Sequence, residues 1–193
     1  MPFADTARGI VYKLYDLRGD GSLGKKLIFR RDPAGDWEPG LADATIYETV
    51  EKLAVLHEAG GLPTEIMGLD DSGSILLAKQ PLAFPYGDDL MKSRVEAALA
   101  MNAVLVNAPR MHEFRVFWCA EKAWGLGDLH SGNIMRDASG ASVVIDALLA
   151  EIPRAVTQDC PGLARALATA RRRADGDFSA EPDLFTGVND AEL

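Results

Sequence analysis

The chain has 193 residues, 48% of them hydrophobic and 25% charged, a balance that excludes disorder and suits one domain with a proper core, or two small lobes around one cleft. Its formal net charge is −9 and its basic clusters (Lys25-Lys26, Arg30-Arg31, Arg171 to Arg173) are short, which argues against a nucleic-acid partner and means that a phosphate-bearing ligand would need local positive charge or a metal ion. No apolar run approaches the ~20 residues that cross a bilayer, the start Met1-Pro2-Phe3-Ala4-Asp5 has no leader pattern, and Cys119 and Cys160 lie outside any zinc-ligand spacing, so a cytoplasmic protein with reduced thiols and no membrane partner is expected.

Gly9 to Leu17 alternates as a strand, with Val11, Lys13 and Tyr15 on one face. Gly19-Asp20-Gly21 reads as a turn, Lys25 to Arg30 as a second strand, and Asp32 to Gly40, with its prolines and glycines, as a loop. Asp43 is the expected N-cap of a helix over residues 44–59, which carries Ile46, Val50, Leu53 and His57 on one stripe and stops at Gly60-Gly61. Strands near Glu65 to Leu69 and Ser74 to Lys79 flank the turn Asp70 to Gly73. A helix over residues 88–102 and a strand over Phe114 to Cys119 follow, and Trp124 to Gly127 leads into a polar loop. Beyond Ile134-Met135, the turn Asp137 to Gly140 and the strand Ser142 to Asp146 complete a hairpin with carboxylates at both ends. Leu163 to Arg173 reads as a helix, and residues 174–193 as a loose acidic tail.

The stretch Gly127-Asp128-Leu129-His130-Ser131-Gly132-Asn133-Ile134-Met135, with Asp146 thirteen residues after Asn133, holds what phosphoryl transfer requires. Magnesium needs hard oxygen ligands to neutralise phosphoryl charge, a role suited to Asn133 and Asp146, while a second carboxylate, Asp128, must face the acceptor hydroxyl as base. Any one of these residues beside a turn would be an ordinary cap, and only the run as a whole is specific. His130 reads as a structural hydrogen-bonder.

The pattern G-D-L-H-x-G-N-I-M followed by a hairpin ending V-I-D resembles the catalytic loop and metal-binding aspartate of the aminoglycoside-phosphotransferase-like branch of the protein-kinase superfamily. Within that branch, Ile75-Leu76-Leu77-Ala78-Lys79-Gln80-Pro81 is similar to the hinge of kinase-like domains in the polyvalent proteins of phages and mobile elements. The resemblance covers roughly residues 10–150 and implies an α+β, reduced two-lobed kinase-like fold. Residues 1–81 would form a small antiparallel sheet with one helix, and residues 82–173 a short, mostly helical second lobe carrying the catalytic-loop hairpin.

The same resemblance implies ATP and magnesium as cofactors. Lys13 would be the strand lysine that grips the phosphates, Glu48 (or Glu51) its partner on the helix, and Gln80, Pro81 and Leu82 the hinge whose backbone meets adenine. Asp128 would be the base, and Asn133 and Asp146 the metal ligands. Two features depart from the family pattern. Leu126 stands where many relatives have a histidine, and only twelve residues precede Lys13, too few for a glycine-rich hairpin. The string Gly19-Asp20-Gly21-Ser22-Leu23-Gly24 follows Lys13 instead, and reads as a hairpin turn in a chain truncated or naturally reduced at its N-terminus. An ATP-dependent phosphotransferase acting on a protein or small-molecule hydroxyl is therefore expected, with a pseudokinase or nucleotide-binding interaction module of a phage or mobile-element protein as the alternative.

Overall fold

The structure, a computed structural model, describes residues 2–18, 24–87, 89–111 and 113–178. Residues 19–23 of the glycine string and residues 179–193 of the acidic tail lie outside this set. In chain order the elements are β1 (Pro2–Asp5), β2 (Ile10–Asp16), β3 (Lys25–Arg31), β4 (Trp37–Asp43), α1 (Ile46–Glu58), β5 (Glu65–Leu69), β6 (Ile75–Pro81) and β7 (Phe84–Pro85). They continue as α2 (Leu90–Ala100), β8 (Val104–Leu105), β9 (Arg115–Cys119), β10 (Lys122–Gly127), β11 (Ile134–Arg136), β12 (Ser142–Val144), β13 (Leu148–Glu151), α3 (Arg154–Asp159) and α4 (Pro161–Ala174). The fold is mixed α+β: several small antiparallel sheets and, among the described residues, four helices.

The first sheet has the order β1-β2-β6-β5. Antiparallel residues directly opposite one another share a face, so the β2–β6 register puts Val11, Lys13 and Tyr15 on the face of Gln80, Ala78 and Leu76, all three buried. Strand β1, which the alternation pattern did not suggest, pairs with β2 across a turn closed by Gly9.

Three local expectations are corrected. Residues 37–43 of the expected loop and its downstream flank form β4, paired with β3 along its length. Pro39 is tolerated there because the two-stranded sheet leaves β4 an edge on which a missing N–H costs no ladder bond. The N-cap of α1 is Thr45, not Asp43: Thr45 Oγ1 accepts from Glu48 N, and Glu48 Oε2 accepts from Thr45 N at 2.9 Å, a reciprocal capping box. Finally, the inward stripe of α1 is Thr49, Leu53 and Leu56 with Val55, while Ile46 and His57 are exposed, so the helix is rotated from the expected stripe and carries Lys52 inward.

Residues 82–173 are not mostly helical, because seven strands, β7 to β13, share that segment with three helices. The sheet β13-β10-β9-β8 is covered on both faces. On β9, Phe117 and Cys119 join a core with Val55 and Leu56 of α1, Ala98 and Met101 of α2, Ile134 and Val144. Val116 points the other way, into a core with Val156, Leu163, Leu167 and Ala170 of the last two helices. The smaller sheet β12-β11-β7 carries the hairpin after the polar loop.

Candidate functional site

Strand β10 ends at Gly127 and delivers Asp128 into the polar loop with φ +63°, a left-handed conformation that Asp tolerates better than most side chains. Asn133 Nδ2 donates to Asp128 O at 2.8 Å and to Asp128 Oδ2 at 3.2 Å, closing the loop on itself. Gly132 N donates to His130 Nδ1 at 2.9 Å, and Nε2 lies 3.6 Å from Asp128 Oδ1. A Cβ on Gly132 would fall 2.8 Å from His130 Cε1, so a larger residue here would push the imidazole off its bond with Gly132 N. His130 is thus a structural hydrogen-bonder that braces the loop through Gly132 N.

Asp146 lies just beyond β12, which ends at Val144 rather than at Asp146 as expected. A backbone bond from Ile145 N to Asn133 O, 3.0 Å, ties the end of the hairpin to the loop and brings Asp146 beside Asn133. Asp146 Oδ1 accepts from Ala147 N at 2.9 Å and from Lys52 Nζ at 3.0 Å. Its Oδ2 and the Asn133 amide oxygen are the oxygens left to meet a ligand.

Lys13 projects from the covered face of β2, and its Nζ donates to Ile145 O at 3.2 Å. Burial pulls its pKa below the usual lysine range, Asp146 opposes that shift, and Lys52 adds to it. Tyr15, on the same face, is pushed up to about 12 by burial and by the Asp146 carboxylate.

Glu48 does not partner Lys13. Its carboxylate is held by Lys26 and Thr45, which keep its pKa low, at about 2. The helix side chain that reaches the site is Lys52, one turn further on, with 15% of its side chain exposed. Sequence reasoning missed it because the helix stripe was set from Ile46. Counted from the cap, Thr49, Lys52, Leu53 and Leu56 fall on the i, i+3, i+4, i+7 face.

The hinge residues enter the site only in part. Leu82 N donates to Gly9 O at 2.8 Å and Pro81 has no N–H, so neither offers a free backbone donor to a base. Gln80 instead reaches inward with its side chain, donating to Thr64 Oγ1 and, at 3.1 Å, to Ile145 O.

Two clefts meet at Asn133 and Asp146. One, of about 580 Å³, is lined by Lys13, Gln80, Pro81, Leu82, Met135 and Ile145. The other, of about 530 Å³, holds Lys25, Lys52, Asp128 and His130. All the predicted residues except Glu48 and its alternative Glu51, which faces Lys122 at 3.9 Å, therefore line one or other of these two adjoining clefts.

No group of three or more His, Cys, Asp or Glu side chains suited to a metal occurs among the described residues. Magnesium bound with a nucleotide does not need one, since it takes one or two hard oxygen ligands from protein and the rest from phosphates and water. Asp146 Oδ2 and Asn133 Oδ1 match that donor set. No helix among the described residues is long and apolar enough to cross a membrane. Comparisons with protein-family models, with curated proteins and with solved structures give no match.

Proposed function

We propose that the chain is an ATP-dependent phosphotransferase, built on a reduced two-lobed kinase-like scaffold, that moves a terminal phosphoryl group to a hydroxyl acceptor. The observation that carries this reading is the meeting of two oxygen donors, Asn133 and Asp146, with two inward lysines, Lys13 and Lys52, at the junction of the clefts, with Asp128 beyond them. The apolar cleft walled by Pro81, Leu82 and Met135 suits a purine base. Lys13 and Lys52 would bind phosphate oxygens, and Asp146 and Asn133 would hold magnesium. Bound magnesium supplies charge neutralisation for the phosphates. Asp128 takes the acceptor's proton as the acceptor oxygen forms its bond to phosphorus, the bond from that phosphorus to the bridging oxygen breaks, and ADP leaves. The Asn133 amide N–H group keeps the Asp128 carboxylate in place.

A second reading, a nucleotide-binding interaction module without turnover, as in a pseudokinase of phage or mobile-element origin, draws support from Lys52. It already occupies Asp146 Oδ1 and neutralises part of the carboxylate charge, leaving Oδ2 alone for a metal. One experiment addresses both. Magnesium with a non-hydrolysable ATP analogue at about 100 times its dissociation constant should stabilise the fold by about 2.7 kcal/mol, a rise of roughly 5–10 °C in melting temperature for a chain of this size. No rise at millimolar nucleotide refutes both readings, and a rise without ATP turnover selects the second.

A further inference from the structure

A third cleft, of about 350 Å³, opens on the far side of Asp128 and His130, which line it together with Leu41 and Leu148, as they line the metal-side cleft. Its floor holds two arginines, Arg94 of α2 and Arg115 of β9. Arg115 is 8% exposed, and alternation along β9 puts it on the inward face with Phe117 and Cys119. Among the described residues its one hydrogen bond runs from Nη1 to Glu113 O, 3.3 Å. The Arg94 side chain is 13% exposed; its Nη1 meets Glu113 Oε1 at 2.9 Å, and its Nε is buried with no hydrogen-bond partner.

The Glu113 carboxylate thus pairs with Arg94 while Arg115 meets the Glu113 backbone carbonyl, and that carboxylate belongs to a side chain 72% exposed. Burial and the neighbouring Arg94 charge both make the Arg115 cation costly to keep, pulling its pKa below the usual arginine range. Buried guanidinium groups are normally paired and fully hydrogen-bonded, and an unsatisfied buried N–H costs free energy that a ligand can recover. Arginine pairs with open N–H groups match carboxylate and phosphate oxygens. Glu113, exposed and held on one side only, is the kind of group such a ligand displaces.

We propose that Arg94 and Arg115 bind the anionic group, carboxylate or phosphate ester, of a small hydroxyl compound whose hydroxyl then faces Asp128. This rests on the reading of Asp128 as the acceptor-facing carboxylate, and it names the acceptor class that the sequence left open. A neutral hydroxyl compound lacks the group that would satisfy the two arginines.

The test is calorimetric titration of the full chain with glycerate, glycerol 3-phosphate and glycerol, the first two separating a carboxylate site from a phosphate site. At least one anion should bind and glycerol should not. Glu113→Gln removes the internal competitor and should tighten the anion roughly three- to fivefold, the effect of losing one exposed ion pair. Arg115→Met should weaken it at least tenfold, and Arg94→Met serves the same purpose if the Arg115 variant does not fold. Equal binding of glycerol and the anions, no anion binding by either the wild type or Glu113→Gln, or weaker binding by Glu113→Gln would overturn the proposal. The magnesium–nucleotide melt, run on the same preparation, reports on the phosphotransferase reading separately, because the titrations contain no nucleotide.

Discussion

Replacing Asp146 by Asn removes one charge from a cluster of three and leaves Lys13 and Lys52 facing each other without their carboxylate. The Lys52 Nζ to Asp146 Oδ1 distance is 3.0 Å. At an effective dielectric of ~20 this gives a bare Coulomb attraction of about 5.5 kcal/mol. Asp146 has 43% of its side chain exposed, and solvent screening with lost hydration reduces that figure to about 1–2 kcal/mol of stability. For a chain of this length the melting temperature without ligand should fall by roughly 2–8 °C. The second effect is on ligand: the extra stabilisation from magnesium with nucleotide should fall sharply, because the neutral amide brings no negative charge to the cation and Asn133 already supplies a neutral oxygen. A double-mutant cycle with Lys52→Met isolates the pair, and the combined variant should be less destabilised than the sum of the two single variants. Thermal melts with and without magnesium and an ATP analogue read both effects. A wild-type melting temperature together with a wild-type magnesium-dependent shift in Asp146→Asn would refute the assignment and leave Asp146 as a surface group.

Asp128→Ala should reduce phosphoryl transfer by ~10²–10⁴-fold while leaving nucleotide affinity nearly unchanged, because Asp128 faces the acceptor side; single-turnover kinetics and equilibrium binding check the two halves. Loss of nucleotide affinity in a folded Asp128→Ala protein would place this carboxylate elsewhere. Tyr15, with its phenol raised to about 12 against an ordinary value of 10.0, predicts a pH effect of known sign. Between those values the unfolded chain has released a proton that the folded chain keeps, so stability present below pH 10 is lost as pH climbs toward 12. Urea titrations should show wild type losing on the order of 2 kcal/mol more than Tyr15→Phe across that window, at about 1.4 kcal/mol per pKa unit. Parallel curves for the two proteins would show that the Tyr15 environment does not favour the neutral phenol.

The run Gly127 to Met135 and the hairpin after it were legible in the sequence because their geometry is local. Turn residues, a glycine beside the His130 ring and a short antiparallel return bring Asp128, Asn133 and Asp146 together across fewer than twenty residues. The placement of Lys13 on the covered face of its strand followed from alternation with Val11 and Tyr15. The Thr45-x-x-Glu48 capping box was equally local, yet Asp43 was expected as the cap in its place; the box both starts α1 and occupies Glu48.

What only the tertiary structure decided depends on contacts between distant segments. Lys52 meets Asp146 across 94 residues of chain, and nothing in either local pattern specifies that pairing. Leu82 spends its N–H on Gly9 because β1 folds back on β2, and a hinge motif alone does not reveal a neighbouring strand. Arg94 and Arg115 sit on α2 and β9, whose sequences read only as a helix and a strand. Their shared pocket exists only because α2 and β9 pack beside the loop of Asp128, concentrating buried positive charge that no periodicity records.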